Sequence, residues 1–581
     1  MSLKIKLIIL TVTVLSFTAC KLKPQKSEHF DNKRGELEDI ARNYGQFAPD
    51  DAWDDAHEFA YYGSENEWSR RQFSEESADV LYNRRGQRQL LAILDGEPQT
   101  AIGYCERYLK EDANDPETYF MMTIAYSQMN MKRDAVKSMQ LALENGLPFD
   151  RFIAGPRNLL KNLYQTEEFK TLKNEYNIQL VHGPLLGNVT SESASFWVRT
   201  AGESEVEIKC EHPGGGNLIT GMAQTSADRD YTTVVKINGL KPNTKYLYSV
   251  WVDGNLTKEG FSFTTTQNTK YKEAFSIAFG GGAGYTPKHE RMWDTIATYD
   301  LKAMMLLGDN VYIDVPGQPN EVHDYTYYRR QSRPEFKRLI SKVPVYSIWD
   351  DHDAATDDIW MGPYRDKPAW KLPMLNVFIR NWNNPGYGTQ EWPACWYKYS
   401  VADVDFFMLD TRFYRTNPFK EEKTMLGPVQ KKWLKESLLA SKATFKIVVS
   451  SVPWSYGAKP DSHDTWNGFK NEREEIFRFF EDNKIEGIVL VSADRHRSDY
   501  WKIERKNGYT LYDFMSSRLT NIHTHELMPG CEFGYNKKCS FATFTFNTSV
   551  PDPEVTYQIH SIDNELIHSF TLKKSQLSYN K

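Results

Sequence analysis

Three short stretches of the chain combine carboxylates, imidazoles and a phenol in a way that suits metal binding. The densest spans residues 348–353 and reads IWDDHD, directly after the apolar run 343–347. Packing three carboxylates at one strand end costs free energy unless a cation offsets their charge. Carboxylate and imidazole together suit hard and borderline divalent metals and trivalent iron. A solvated acidic loop with an incidental histidine is the competing interpretation.

A second stretch, residues 307–312, reads LGDNVY. Asp309 could bridge two metals, and Tyr312, three residues later, could bring its phenolic oxygen to the same place. A phenol with a reference pKa near 10 ligates well only beside a strongly acidic ion, so Tyr312 suggests a trivalent metal. A turn with a packed tyrosine is the alternative.

The third stretch, residues 491–496, reads VSADRH. Asp494 and His496 stand two residues apart, so both can face one metal if the chain is extended there. Arg495 cannot be a ligand because it is permanently charged, but it could contact a phosphoryl oxygen. A local ion pair between Asp494 and Arg495 is the alternative.

Each stretch ends an apolar run, which indicates the elements that must position it. From about residue 270 onward, short apolar strands alternate with helical patterns, as in an α/β domain. Ligands bind beyond the carboxyl ends of the strands in such domains, so we expect the three stretches to form one site. The candidate strands are Phe275–Phe279, Ala303–Leu307, Val343–Ile348, Phe406–Leu409, Lys446–Ser450 and Ile488–Val491.

The remaining sequence predicts further domains, since 581 residues exceed one hydrophobic core. Residues 21–178 have a helical pattern, and the spacing within 116–146 resembles a tetratricopeptide repeat. Residues 179–268 alternate with a period of two, and a turn entering a strand at Tyr246 resembles a fibronectin-type β-sandwich. Residues 269–581 form the α/β part. The helical region is expected to bind a protein partner or to brace its neighbour.

Charge and the N-terminus suggest where the protein works. A net charge of -6 gives no basic footprint for nucleic acid. Residues 1–20 resemble a lipoprotein signal peptide, with a short apolar run that closes on Phe17-Thr18-Ala19-Cys20. Lipidation of Cys20 would anchor an exported protein to a bacterial membrane, on the periplasmic side or at the cell surface. Cleavage after Ala19 and soluble secretion is the alternative.

Cysteines and secondary candidates complete the expectations. Cys531 and Cys539 are close in sequence, and in an oxidising compartment they are expected to form a disulfide. His523 and His525 could cap the site or bind a second ion, although a solvated loop is the competing interpretation. Trp466 is expected to shape the substrate pocket.

Taken together and in order, GDNVY, WDDHD and SADRH resemble the metallophosphatases of the alkaline phosphatase D (PhoD-like) family. The resemblance covers roughly residues 180–530, with support from segments 409–412, 426–434, 464–469 and 514–520. It implies a four-layer αββα domain and a phosphomonoesterase or phosphodiesterase that uses one or two metal ions, iron, calcium or another divalent ion.

The resemblance also implies the ligands of two metals. Asp309 would bridge them, Tyr312 and His496 would hold one, and Asp351 and Asp494 would hold the other. The phosphoester would be attacked by a metal-bound hydroxide, since two metals about 4 Å apart clamp phosphoryl oxygens and lower the pKa of bound water.

Two catalytic roles follow from the same resemblance. His352 would stand beside the phosphate as a general acid or a charge stabiliser, and Arg495 would lie nearby. Asp350 and Asp353 are expected either to support the site or to face the substrate.

One departure from the family pattern is Gly282, which occupies the place of an expected metal-binding cysteine. The neighbouring metal would then be weaker, different or completed by water, or the glycine run would offer backbone N–H groups to a phosphate. Gly282 also leaves open a second function, a catalytically degenerate lipoprotein that acts as a binding or scaffold protein through its helical repeats.

Overall fold

The computed structural model describes residues 86–579, so the predicted signal peptide and Cys20 lie outside the described residues. The first part of the structure is helical. Proline at the first helical position and an Asp115 side chain that accepts from the Thr118 N–H begin the third helix, as expected for a capped start. The helices are α1 Gln87–Leu94, α2 Pro98–Glu111, α3 Pro116–Gln128, α4 Lys132–Glu144, α5 Asp150–Ala154, α6 Lys161–Tyr164 and α7 Glu167–Tyr176. Their likeness to tetratricopeptide repeats stays a prediction.

The helical part shares its hydrophobic core with the α/β part. Phe120 of α3 is fully buried and stacks on Tyr325, whose ring centroid is 6.3 Å away. The Tyr325 hydroxyl donates to the buried Glu117 carboxylate at 2.9 Å, and Glu117 also pairs with Arg151. Gln87, at the start of α1, donates its side-chain amide to the backbone carbonyls of 312 and 313. The helices are therefore built into the rest of the molecule.

Two antiparallel sheets follow and enclose one common core. Their orders are β1-β2-β5 and β4-β3-β6-β7. The Tyr246 hydroxyl accepts the backbone N–H of Lys241 at 2.9 Å, so this tyrosine closes the turn that precedes its own strand. The strands are β1 Leu180–Gly187, β2 Ser193–Thr200, β3 Glu205–Glu211, β4 Ile219–Gln224, β5 Thr232–Asn238, β6 Lys245–Val252 and β7 Asn255–Thr264.

The last part is an α/β domain with a six-stranded and a seven-stranded sheet, ordered β10-β9-β8-β18-β19-β20 and β11-β12-β13-β14-β16-β15-β17. Every strand predicted from the sequence is present, so the α/β prediction is confirmed. The strands are β8 Ala274–Gly280, β9 Ala303–Leu307, β10 Val345–Ile348, β11 Tyr397–Val401, β12 Val404–Met408, β13 Phe445–Val449, β14 Ile488–Ser492, β15 Ser498–Ile503, β16 Leu511–Met515, β17 Phe533–Tyr535, β18 Ser540–Asn547, β19 Glu554–Ser561 and β20 Leu566–Lys573.

Helices connect the parallel strands of each sheet. In the first sheet β8, β9 and β10 run parallel, and in the second β12, β13 and β14 do. The two sheets pack face to face through aromatic contacts such as Phe514 with Phe544, whose ring centroids are 5.4 Å apart. The helices are α8 Met292–Ile296, α9 Glu321–Gln331, α10 Pro334–Ile340, α11 Asp351–Ala354, α12 Lys371–Asn381, α13 Gly427–Ala440 and α14 Lys470–Asp482.

The register of the parallel strands brings the polar stretches together. Leu307 at the end of β9 pairs with Ile348 at the end of β10. The residues that follow these two strands, 308–312 and 349–353, therefore leave the sheet side by side. Within residues 86–579, no helix is both long and apolar enough to cross a membrane.

The predicted disulfide is wrong, because Cys531 and Cys539 are both free thiols. Cys531 precedes β17 of the seven-stranded sheet, whereas Cys539 immediately precedes β18 of the other sheet. The Cys539 sulfur is buried, 3.4 Å from His289 Nδ1 and 3.4 Å from the Asn521 carbonyl oxygen. The two cysteines do not pair although they are close in sequence, because the chain passes from the seven-stranded sheet to the six-stranded sheet between them.

Candidate metal centre

Asp309, Tyr312 and His496 converge as the sequence predicted. The Tyr312 hydroxyl donates to Asp309 Oδ2 at 3.1 Å and lies 3.0 Å from His496 Nε2. His496 Nε2 lies 3.6 Å from the same carboxylate oxygen. Asn521 donates its side-chain N–H to the Tyr312 hydroxyl at 2.7 Å, which fixes the phenol in this position. The ends of β9 and β14 thus bring three potential ligands to one point.

Asp309 also belongs to a second group, with Asp351 and His352. One ligand atom from each of the three lies within 4.8 Å of the others. The Asp351 carboxylate is held by the backbone N–H of His352 at 3.0 Å and that of Asp358 at 2.7 Å. Asp309 is therefore positioned between the two groups, as a bridging ligand must be.

Several of these residues have a left-handed backbone. The φ angles are 52° at Asp309, 69° at Asp494 and 46° at His496. Non-glycine residues adopt this region at a cost of about 1–3 kcal/mol, and such residues cluster at functional sites. Before Asp309, Gly308 has a φ of 101°, and a Cβ there would lie 2.5 Å from Asp350 Cβ. Only glycine allows the two strand ends to approach this closely.

His352 is oriented by a carboxylate that the sequence analysis missed. Its Nδ1 lies 2.5 Å from Asp314 Oδ1, while its Nε2 faces the more open side, 3.8 Å from Asp357 Oδ1. Burial by itself would lower the pKa of His352, but the carboxylates of Asp314, Asp351 and Asp309 raise it well above the usual value. The Asp314 carboxylate thus fixes the orientation of the ring, with Nδ1 towards Asp314 and Nε2 on the other side.

The density of carboxylates leaves the metal-free site electrostatically strained. Burial raises the pKa of Asp309 well above its usual value, and the neighbouring carboxylates of Asp351, Asp350 and Asp353 raise it further, against the lowering effect of His352. Burial also lowers the pKa of His496, together with nearby cationic groups. A neutral imidazole facing crowded carboxylates is the state that a metal ion stabilises.

The predicted role of Asp494 as a metal ligand stays a prediction. Among the described residues Asp494 falls outside the groups whose ligand atoms lie within 4.8 Å of one another. Its Oδ2 lies 3.8 Å from the Arg495 guanidinium and 3.9 Å from Lys459 Nζ, and it has no hydrogen-bond partner among the described residues. The structure places Lys459, which the sequence analysis missed, beside this carboxylate.

A buried ion network lies beneath the site. Arg412 is fully buried and donates Nε to Asp350 Oδ1 and a terminal N–H to Asp464 Oδ1, each at 2.5 Å. Its other terminal nitrogen lies 3.6 Å from Asp351 Oδ2. Asp353 accepts the backbone N–H groups of 310, 311 and 350, so it joins the two strand-end loops. Asp350 and Asp353 therefore support the site, as predicted.

The structure decides one question about Gly282. The backbone N–H of 281 donates to the Ser516 carbonyl, that of 282 to the Gly308 carbonyl and that of 283 to the Asp309 carbonyl. These three N–H groups are therefore not available to a phosphate. A Cβ at Gly282 would lie 3.2 Å from His496 Cδ2, so the position does adjoin the predicted ligands, without supplying one.

Gly282→Ala is expected to destabilise the protein by about 1–3 kcal/mol, because it combines backbone strain with a steric clash. The φ of Gly282 is +67°, and the new Cβ would lie 2.9 Å from the backbone nitrogen of Arg518 and 3.0 Å from Ser517 Oγ. Urea unfolding monitored by fluorescence measures the loss. Gly530→Ala is the control, since Gly530 has a φ of +90° but its nearest neighbour would be 3.6 Å away. Equal losses in the two variants would contradict the clash.

One pocket prediction is wrong. Trp466 is fully buried and stacks on Trp454 with ring centroids 4.3 Å apart, and its indole N–H donates to Ser450 Oγ at 3.1 Å. Trp466 is therefore part of the core beneath the site, and it does not line a substrate pocket.

Comparison with known proteins gives two family matches. Residues 277–527 match the family model described as PhoD-like phosphatase, and residues 177–266 match a domain family of unknown function, DUF7800. Alkaline phosphatase D of Bacillus subtilis (strain 168) is 21% identical over 373 residues. That match covers 54% of this chain and 64% of the relative, less than two thirds of its length.

Two solved structures have a similar fold. A structure of PhoD superposes with a TM-score of 0.57 at 16% identity, covering 68% of this chain and 90% of that one. The purple acid phosphatase PPD1 from yellow lupin (Lupinus luteus) seeds gives a TM-score of 0.50 at 12% identity, covering 68% and 75%. At these identities the likeness shows the fold, a metallophosphatase α/β domain. Residues 277–527 are therefore a domain of the PhoD-like phosphatase family.

Proposed function

We propose that the protein is a metal-dependent phosphoesterase that hydrolyses phosphomonoesters or phosphodiesters. The observation that carries the proposal is the position of Asp309 between potential ligands, with Tyr312 and His496 on one side and Asp351 on the other, next to His352. These residues lie inside the segment that matches the PhoD-like phosphatase family.

The donor set fits metal ions. Asp309 Oδ1, Asp494 Oδ2 and His496 Nδ1 are buried and have no hydrogen-bond partner among the described residues. Buried polar atoms are rarely left unpaired unless an ion or water satisfies them. Carboxylate, phenolate and imidazole together suit iron, and the carboxylates also suit calcium. Bound ions would neutralise phosphoryl oxygens and lower the pKa of water.

The protein's own side chains then have separate tasks. Asp314 orients His352 through Nδ1, so that an Nε2–H can donate to a phosphoryl oxygen or to the leaving group. Arg495 and Lys459 lie beside Asp494, where their positive charges can attract an anionic substrate. Arg412 is buried below the site and donates its N–H groups to Asp350 and Asp464, so it holds these carboxylates in place.

Hydrolysis of p-nitrophenyl phosphate and bis-p-nitrophenyl phosphate after metal removal tests the proposal. We expect the chelator-treated full chain to lose at least about 99% of its turnover, because water near neutral pH is a poor nucleophile without a metal. Iron, calcium, manganese or zinc, added back singly and in pairs, is expected to restore turnover. Activity that survives complete metal removal would exclude the mechanism, and absence of activity with every metal would favour the scaffold function instead.

We further propose that the mature protein is lipidated at Cys20 and exported to the periplasmic side or the surface of a bacterial membrane. The signal-peptide pattern of residues 1–20 supports this localisation. We also infer a tetratricopeptide-like character for the helical region and a fibronectin-type character for the β-sandwich. The buried contacts of Glu117, Arg151 and Tyr325 support a bracing role for the helices over partner binding.

A further inference from the structure

A second cluster of imidazoles adjoins the candidate metal centre. His523 and His525 lie across from His496, with ring centroids 5.2 and 5.6 Å from the His496 ring and 4.7 Å from each other. One nitrogen from each of the three rings lies within 4.8 Å of the others. His496 is buried, His525 is partly exposed and His523 is exposed.

The loop that presents His523 and His525 is attached to the centre itself. Asn521 donates its backbone N–H to the Gly282 carbonyl and its side-chain N–H to the Tyr312 hydroxyl. The Thr524 hydroxyl, between the two histidines, donates to the His496 carbonyl at 3.1 Å. The Asn536 side chain donates to the His525 carbonyl at 3.0 Å. These bonds hold both imidazoles in front of His496.

One ring nitrogen of His496 is not used by the contacts of the Asp309 centre. Its Nε2 faces Tyr312 and Asp309, whereas its buried Nδ1 has no hydrogen-bond partner among the described residues. A histidine that ligates a metal through one nitrogen almost always donates the other N–H to a carboxylate, a carbonyl or water. Here no protein group in the described part of the chain plays that role. With no ion at the Asp309 centre, Nε2 can carry the ring proton and Nδ1 can bind a cation. When both sites are filled, His496 loses its N–H proton to solvent and bridges the two ions as an imidazolate.

We propose that His496, His523 and His525 form a tri-imidazole site for a zinc-like divalent cation, next to the Asp309 centre and sharing His496 with it. Zinc binds imidazole nitrogen at about 2.0–2.1 Å, which puts the ligand nitrogens roughly 3.4 Å apart. The three nitrogens lie within 4.8 Å of one another, so they must approach by up to about 1.4 Å to reach that spacing. Three protein nitrogens with a fourth position open to solvent also match the ligand number of catalytic zinc sites.

Ligand chemistry distinguishes this ion from those of the Asp309 centre. Imidazole nitrogen selects zinc, cobalt, nickel or copper, whereas calcium requires oxygen ligands. Asp357 favours a cation near His523, whereas Arg495 and Arg518 oppose one there. Arg495, Lys459 and Arg497 oppose a cation near His525, so the imidazole ligands must bind the ion against a mainly positive surrounding. The fourth ligand would be water or a substrate oxygen.

Metal counting tests the site without reference to activity. The chelator-treated full chain is titrated with Zn²⁺ and with Co²⁺, and bound metal is counted by calorimetry and elemental analysis. We expect the wild type to bind one more equivalent of Zn²⁺ than the His523→Ala/His525→Ala double variant. Each single variant, His523→Gln or His525→Gln, is expected to bind that equivalent at least about tenfold more weakly.

Two control variants separate this site from the phosphatase centre. Asp351→Asn should keep the extra equivalent, because Asp351 is outside the imidazole cluster, and His212→Ala should too, because His212 is an exposed residue of the β-sandwich. Circular dichroism of the metal-free variants checks folding. Equal Zn²⁺ stoichiometry and affinity in the wild type and the double variant would overturn the proposal, whatever the phosphatase activity.

Discussion

Replacing Asp309 with asparagine is expected to lower phosphoester turnover by about a thousand-fold or more, equivalent to at least about 4 kcal/mol of transition-state stabilisation. Asp309 is the residue shared by the two ligand groups, so its loss affects both ions. Steady-state kinetics with an activated phosphodiester gives the loss in turnover, and elemental analysis of the same sample gives the metal content.

The structure predicts that this loss is not caused by unfolding. The charged form of Asp309 is already disfavoured by burial and by Asp351, Asp350 and Asp353. Because its folded-state pKa is raised, Asp309 makes the metal-free protein less stable as the pH rises above the unfolded-state pKa of the carboxyl group, and a neutral amide removes that penalty. Asparagine also tolerates the φ of 52°. The metal-free variant should therefore melt at the wild-type temperature or higher.

Asp294→Asn is the matched control, since Asp294 is a surface carboxylate of the same domain with a side chain 42% exposed. It should leave turnover and metal content unchanged. If Asp309→Asn retained wild-type metal content and turnover, the proposed phosphoesterase centre would be ruled out.

Replacing Arg412 with methionine is expected to destabilise the protein by about 3–5 kcal/mol, because breaking a buried ion pair leaves uncompensated charge. The Arg412 side chain is fully buried, and so are its partners Asp350 and Asp464. Urea unfolding of the metal-free protein measures the change. Turnover should fall as well, since Asp350 and Asp351 lose a cation that holds them.

The control for Arg412 is Arg338→Met. Arg338 also pairs with a carboxylate, Asp294, through two bonds of 2.7 Å, but its side chain is 52% exposed. Such surface pairs contribute about 0–1 kcal/mol, so this variant should unfold close to the wild type. A loss below about 1 kcal/mol in Arg412→Met would mean that Arg415 and Lys459 already satisfy Asp464.

Much of the site could be predicted because its potential metal ligands lie within a few residues of one another in short stretches of the sequence. Asp309 and Tyr312 lie on one loop, and 350–353 lie on another, each directly after an apolar strand. Strand character can be recognised from short apolar runs, and parallel strands put their carboxyl ends at one edge. The convergence of Asp309, Asp351 and His496 therefore followed from strand order, before any contact was known.

The rest depended on contacts between distant parts of the chain. Lys459 and Asn521 come from loops whose sequence gives no sign that they reach Asp494 and Tyr312. Asp314 was closer, two residues after Tyr312, but only the fold turns it towards His352. The disulfide prediction failed for the same reason, since it used sequence distance where the chain passes between two sheets.

The two hydrogen bonds from Gln87 have a consequence for what counts as one functional unit. Gln87 lies in the first described helix, yet its side-chain amide donates to the backbone carbonyls of Tyr312 and Ile313. These carbonyls belong to the short segment that joins the Tyr312 phenol to Asp314, the partner of His352. Removing the helices would strip those carbonyls of their donor and loosen the phenol. The smallest piece able to keep the centre intact is therefore larger than the segment 277–527, which matches the PhoD-like phosphatase family. Loss of activity on shortening the chain would not by itself indicate a lost binding partner.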